Sequence, residues 1–436
     1  MTLSRALACS LLLAICLAGP VQAQDGHRIW GEVHLTSGDV HEGFIRWERN
    51  EGSWVDILDG YKDIPEENYF AWLESIEEDG PPTRTIDLRG YRISWDEDDP
   101  DFPSRAASGI RFGHIASLRV LEEGRADLTL RSGEVVEMEG ASTDLGRRIR
   151  ELVVDVPGGR EVDLEWEDLD RVVFSAAPSG ARASSGRLYG TVEDSEGRRF
   201  TGYVSYDLDE ILEADVLDGR DTETGGDLDI RFSEITSIAR LGRGAQVVLV
   251  DGTVLDLRGS NDVDRRNRGI QISDPNLGMV EVEWRDFEIL RFHEAEGVVG
   301  YDAFDGGHVL RGTVVTESGE QIEGEIRWDA DEAESWEFLN GRDEDGVVFT
   351  IEFGFLSRIE RREAWGSLVT LLDGRSFELE DSNDVDWDNK GILIAPTGGT
   401  RSRAAGGSRW RVIPWDEFRE VRFDHGAIDV TRRPGS

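Results

Sequence analysis

One hydrophobic rhythm recurs six times along the chain and sets most of what it can fold into. Large apolar residues stand at relative positions 0, 2, 5 and 8. The sets are Ile110/Phe112/Ile115/Leu118, Leu164/Trp166/Leu169/Val172, Ile230/Phe232/Ile235/Ile238, Val282/Trp284/Phe287/Leu290, Ile351/Phe353/Leu356/Ile359 and Ile413/Trp415/Phe418/Val421. A step of two puts both side chains on one face of a strand. Two steps of three then call for a single tight helical turn followed by re-entry into a strand.

The six sets fall two by two into three longer copies. These open at Trp30-Gly31-Glu32-Val33, Tyr189-Gly190-Thr191-Val192 and Arg311-Gly312-Thr313-Val314. A second glycine follows twelve residues after the first (Gly43, Gly202, Gly324), and a third seventeen after that (Gly60, Gly219, Gly341). Further on, Ser260-Asn261-Asp262-Val263-Asp264 returns as Ser382-Asn383-Asp384-Val385-Asp386. Each copy begins with alternating apolar residues on either side of a Gly-containing turn, a hairpin signal. The glycine within the second strand suggests a bulge or a sharp bend.

The expected fold is therefore all-β. It has three tandem repeats over 28–175, 187–294 and 308–426, joined by linkers 176–186 and 295–307. Each repeat reads as a pair of small modules, six in all. Their rhythm resembles SH3-like or Sm-like β-barrels, a resemblance that carries no functional motif. A six-bladed β-propeller is the alternative, because a two-level repeat suits either architecture. Copy one departs from the symmetry: Gly60 stands fifty residues before Ile110, whereas Gly219 stands eleven before Ile230. The insertion, 61–109, reads as a short helix starting near Asp63-Ile64-Pro65-Glu66-Glu67, then a hairpin over Thr85 to Trp95 and an acidic loop. It is expected to cap the array or to supply a binding element.

Residues 1–23 read as a secretory signal peptide: Arg5, then an apolar run from Ala6 to Ala18, then a small-residue cleavage site at Val21-Gln22-Ala23. Secretion or a periplasmic location follows. Cys9 and Cys16, the chain's two cysteines, both lie in that segment, so the mature chain is expected to lack disulfides and thiol chemistry. No other stretch has membrane-spanning length. A net charge of −42 argues against nucleic acid and anionic membranes as partners, leaving an unknown protein or a glycan. Lysine occurs only at Lys62 and Lys390.

Standard catalytic and nucleotide-binding signatures are absent from the sequence. The strongest motif is Asn383-Asp384-Val385-Asp386-Trp387-Asp388-Asn389-Lys390-Gly391. Asp384, Asp386, Asp388 and Asn389 offer alternating oxygen ligands suited to calcium. In copy two Arg266 takes the place of Asp388, against a cation. The same Asn and Asp side chains can instead bond local backbone amides and shape a turn. The sets Asp207/Asp209/Glu210 and Asp329/Asp331/Glu332 read as solvated charge. His34 and His41 flank the first turn, where His41 reads as a packing residue. The leading expectation is an exported, non-catalytic binding or structural scaffold with no cofactor other than calcium. The alternatives are a glycan-acting hydrolase using Glu66, Glu67, Asp96, Glu97 and Asp98, and a calcium-stabilised surface protein.

Overall fold

The computed structural model describes residues 25–68, 71, 84–88, 91–95, 104–140, 144–295, 297–362, 365–397 and 409–425. The expected signal peptide, most of the helix expected after Pro65, the acidic loop with Asp96, Glu97 and Asp98, and residues 398–408 lie outside the described residues.

The protein is all-β. In the first segment the strands are β1 (Trp30–Leu35), β2 (Val40–Trp47), β3 (Ile57–Asp63), β4 (Arg84–Leu88), β5 (Tyr91–Trp95), β6 (Arg105–Arg111), β7 (Ile115–Val120), β8 (Arg125–Leu130), β9 (Val135–Glu139), β10 (Leu152–Val156), β11 (Arg160–Leu164) and β12 (Leu169–Phe174). In the second they are β13 (Tyr189–Asp194), β14 (Arg199–Tyr206), β15 (Val216–Asp221), β16 (Asp227–Arg231), β17 (Ile235–Leu241), β18 (Gly244–Leu249), β19 (Val254–Arg258), β20 (Ile270–Asp274), β21 (Gly278–Val282) and β22 (Phe287–Phe292). In the third they are β23 (Arg311–Thr316), β24 (Gln321–Arg327), β25 (Phe338–Arg342), β26 (Val348–Glu352), β27 (Leu356–Arg362), β28 (Gly366–Leu371), β29 (Ser376–Glu380), β30 (Ile392–Pro396), β31 (Arg411–Ile413) and β32 (Phe418–Phe423).

All pairings are antiparallel. The first segment forms a ten-stranded sheet in the order β11-β10-β2-β1-β12-β7-β8-β9-β3-β6. The second pairs in the order β21-β20-β14-β13-β22-β17-β18-β19-β15-β16. The third pairs in the order β31-β30-β24-β23-β32-β27-β28-β29-β25-β26. A junction between β21 and β26 joins the last two into one twenty-stranded sheet. Among the described residues neither large sheet closes into a barrel, contrary to the closed modules expected from the rhythm. Nor do separate four-stranded sheets appear, as blades of a propeller would require. The strands flanking each tight turn go to different neighbours, so the sheet runs on instead of closing.

The pairing also crosses the two halves of each segment. Hairpin β1–β2 pairs with β10 and β12 from the second half, while β8 and β9 pair with β7 and β3 from the first. A single β7–β12 contact joins the two groups of five.

All twenty-four residues of the 0, 2, 5, 8 sets are buried. The expected tight turn is a 3-10 turn at Phe112–His114, Trp166–Asp168, Phe232–Glu234 and Phe353–Phe355. Each large side chain so buried contributes roughly 1.5–3 kcal/mol. The recurrent glycine pairs face each other across the opening hairpins, Gly31 with Gly43, Gly190 with Gly202 and Gly312 with Gly324. Their reason is close approach, and no bulge occurs at these pairs. A Cβ on Gly43 would lie 2.3 Å from the Asp155 carbonyl oxygen.

The insertion lengthens one hairpin and then reaches another segment. β3 and β6 pair over seven residues, from Ile57 with Arg111 to Asp63 with Arg105. Beyond them Asn68 Nδ2 donates to the Ala330 carbonyl (2.7 Å) and Glu67 pairs with Arg327 (2.6 Å). Ala71 packs with Ala330, Leu393 and Trp410. The insertion thus straps the first segment to the third. The first and second segments are tied by buried Asp56, which accepts from Ser53 and Ser273 Oγ and pairs with Arg187 at 3.3 Å.

A candidate acidic site between the first and third segments

The same carboxylates gather in each segment just after the opening hairpin. The trios are Glu48/Glu51/Asp144, Asp207/Glu210/Asp262 and Asp329/Glu332/Asp384. They are built alike. The second strand of the hairpin ends in Trp47, Tyr206 or Trp328, whose N–H donates to the carbonyl of the glutamate four residues on. The chain turns through two successive left-handed residues: Glu48 and Arg49, Asp207 and Leu208, Asp329 and Ala330. Such a turn is strained for side-chain-bearing residues and needs outside support. The aspartate from the later loop provides it. Its carbonyl accepts from the aromatic side chain (Trp47 Nε1 to Asp144, Tyr206 OH to Asp262, Trp328 Nε1 to Asp384). Its Oδ2 accepts a backbone N–H from the neighbouring strand, from Asp59, Asp218 and Asn340.

These groups are not solvated charge. Glu51, Glu332, Asp144, Asp262 and Asp384 are all buried, and so are Glu48, Asp207 and Asp329. The glutamate Oε2 is buried without a hydrogen-bond partner in all three trios, on Glu51, Glu210 and Glu332. Burial first, then the neighbouring carboxylates, pushes these acids up: Glu51 and Glu332 well above the usual range, Glu210 to about 9. Asp384 rises to about 7 and Asp262 to about 6, again with burial as the main cause. In the second segment the ligand oxygens of Asp207, Glu210 and Asp262 lie within 4.8 Å of one another.

The first two trios have an arginine on their leading acid. Arg150 bonds Glu48 through Nε at 2.6 Å and Nη2 at 2.5 Å. Arg268 pairs with Asp207 at 3.3 Å and also with Asp209. In the third segment the matching residue is Lys390, whose backbone N–H bonds Asp329 Oδ1. Arg187 and Arg46 sit on Asp56 and Asp215; the matching acid Glu337 takes Lys62, which crosses from the insertion. The chain's two lysines thus both stand at the third trio.

A cavity of about 370 Å³ opens there, walled by Ile64, Ala106 and Ala107 of the first segment and by Asp329, Asp331, Glu332 and Asp384 of the third. Of the four residues expected as a calcium loop, Asp384 and Asp388 line this cavity. Asp386 instead accepts the Asp388 N–H (2.9 Å), and Asn389 accepts the Gly391 N–H (2.8 Å); both shape the loop. Of the other candidates, Glu66 is exposed, Glu67 serves the strap, and His34 pairs with Glu32 at 3.3 Å. Sequence reasoning missed the trios. The signal was a glutamate four residues after the aromatic residue that ends each opening hairpin.

Among the described residues no helix is long and apolar enough to cross a membrane. No protein-family model, no curated protein and no solved structure matches this chain.

Proposed function

We propose that the protein is an exported, non-catalytic binding scaffold of the cell envelope, built from three copies of a doubled unit. In this reading each unit holds two SH3-like groups of five strands, β12-β1-β2-β10-β11 and β7-β8-β9-β3-β6 in the first. The shared strand order of the three segments supports it. So does the threefold carboxylate wiring, since an enzyme needs one asymmetric site.

The observation that carries the binding role is an aromatic pair outside the recurrent positions. Trp365 is 65% and Trp387 56% exposed, with ring centroids 6.2 Å apart in an edge-on arrangement. Trp365 lines a groove of about 840 Å³ between the second and third segments, beside Arg198, Arg361 and Phe377. An exposed indole on a groove rim with a second one beside it suits the faces of sugar rings or apolar protein side chains. The test is co-sedimentation with purified insoluble cell-wall polysaccharide and tryptophan fluorescence against soluble glycans. Binding that is lost in Trp365→Ala and Trp387→Ala supports a glycan-binding scaffold. Binding that survives both removes this surface from the account.

A second reading, a glycan-acting hydrolase, draws on the carboxylates of Asp331 and Glu332, which line the cavity beside the insertion. Release of reducing sugar that is abolished in Glu332→Gln would favour it over the scaffold.

A further inference from the structure

Charge decides what kind of ligand the groove beside Trp365 can take. Four arginines line it, and acids hold every one of them. Arg198 pairs with Asp194 at 2.7 Å and with Asp345 at 3.3 Å. Arg199 pairs with Glu193 at 2.9 Å and Arg361 with Glu317 at 2.6 Å. Arg362 pairs with Glu360. On the same walls Glu344, Glu378 and Glu380 are exposed and have no ion pair among the described residues. The groove thus offers paired cations and free carboxylates.

The repeats set this surface apart. Trp365 stands just before Gly366 of β28, as Arg243 stands just before Gly244 of the matching strand β18. Trp387 follows Asp386 as Arg265 follows Asp264. Both indole places of the third segment are therefore arginine in the second, and Arg243 and Arg265 are exposed with no ion pair among the described residues. Where the second segment carries two free cations, the third carries two aromatic faces whose planes meet at 77°.

We propose, on the glycan-binding reading of this groove, that its ligand is an uncharged polysaccharide and that polymers bearing carboxylate or sulfate groups are excluded from it. Indole faces take the C–H faces of sugar rings. A guanidinium already paired with a carboxylate sets donors beside acceptors at no net charge. That matches sugar hydroxyls, each of which both donates and accepts. A polyanion needs uncommitted cations. It meets free carboxylates instead, in the field of a chain of net charge −42.

The test uses the full chain and soluble probes read by tryptophan fluorescence: hydroxyethylcellulose and dextran as neutral polymers, polygalacturonate as the anionic one. A neutral polymer is expected to bind with an affinity equal within twofold at low and high ionic strength. Trp365→Ala is expected to weaken that binding at least tenfold, and excess polygalacturonate is expected not to displace it. Glu378→Lys combined with Glu380→Lys, both exposed on β29, is expected to let polygalacturonate compete; a circular dichroism spectrum matching the parent chain shows that this variant folds. Displacement by polygalacturonate in the parent chain overturns the proposal and leaves the glycan-binding reading standing. Binding of polygalacturonate alone, lost in Trp365→Ala, does the same. A double variant that still excludes polygalacturonate overturns the proposal equally. No response to any of the three polymers overturns both the proposal and the reading it rests on.

Discussion

The acidic trios of the second and third segments have the same wiring and opposite means of charge balance. In both, an aspartate from the later loop holds a backbone N–H and an aromatic side chain, and a glutamate has one buried oxygen unbonded. In the second, Arg268 spans Asp207 and Asp209. In the third, the equivalent residue is Lys390, and Lys62 arrives from the insertion to serve Glu337. A guanidinium stays charged and bridges two carboxylates at once, whereas an ammonium is one point charge. One arginine serves both acids in the second segment; in the third, Lys62 goes to Glu337 while Lys390 lines the cavity. A repeated framework therefore does not imply a repeated function. The difference lies in two positions and one insertion.

The largest expected effect comes from removing an arginine cap. Arg150→Ala leaves Glu48, which is fully buried, without its cation and is expected to cost about 3 kcal/mol in chemical denaturation. Lys390→Ala is expected to cost less than ~0.5 kcal/mol, since Asp329 uses only its backbone N–H. Equal losses would erase the contrast.

Next comes pH. The Glu210 carboxyl is held at about 9 in the fold against an ordinary value of 4.5, by burial and by Asp209, Asp262 and Asp207, partly offset by Arg268. The folded state binds this proton more tightly than the unfolded chain does. Its contribution is therefore fully present below about 4.5 and is lost as pH rises toward about 9. Glu210→Gln is expected to be more stable than the parent chain at pH 8 by about 1–2 kcal/mol. The difference should vanish near pH 4. A variant no more stable at pH 8 than the parent would show that Glu210 is not a buried acid of this kind.

A smaller effect sharpens the contrast directly. Lys390→Arg supplies the third trio with the guanidinium of the second and is expected to stabilise the chain by about 0.5 kcal/mol in chemical denaturation; a loss of stability would show that the third trio has no place for such a cap.

The strand content and the tight turns were legible because the 0, 2, 5, 8 rhythm leaves a residue such as Phe232 or Trp415 no option but burial. Partner choice between strands was not legible. Both halves of a segment carry the same rhythm, so nothing in it says that β1–β2 pairs with β10 rather than β3. The continuous sheet across the last two segments was hidden in one residue. At Gly278 a Cβ would lie 2.0 Å from the Thr350 carbonyl oxygen, so only glycine admits β26 beside β21. The corresponding positions in β11 and just before β31 are Arg160 and Arg409, charged residues that keep an edge strand unpaired. The trios escaped notice because Asp329, Asp384 and Lys62 are far apart in sequence, and their charge reads as solvent-facing until the turn at Asp329 folds it inward. Of the loop from Asp384 to Asn389, Asp384 and Asp388 line the cavity with Glu332, while Asp386 and Asn389 bond the loop's own backbone.

The most direct test is chemical denaturation of Arg268→Ala beside Lys390→Ala, since Arg268 pairs with Asp207 and Asp209 while Lys390 gives Asp329 its backbone N–H. The account predicts a loss of about 3 kcal/mol for the arginine variant and a far smaller one for the lysine variant. Equal losses would contradict it.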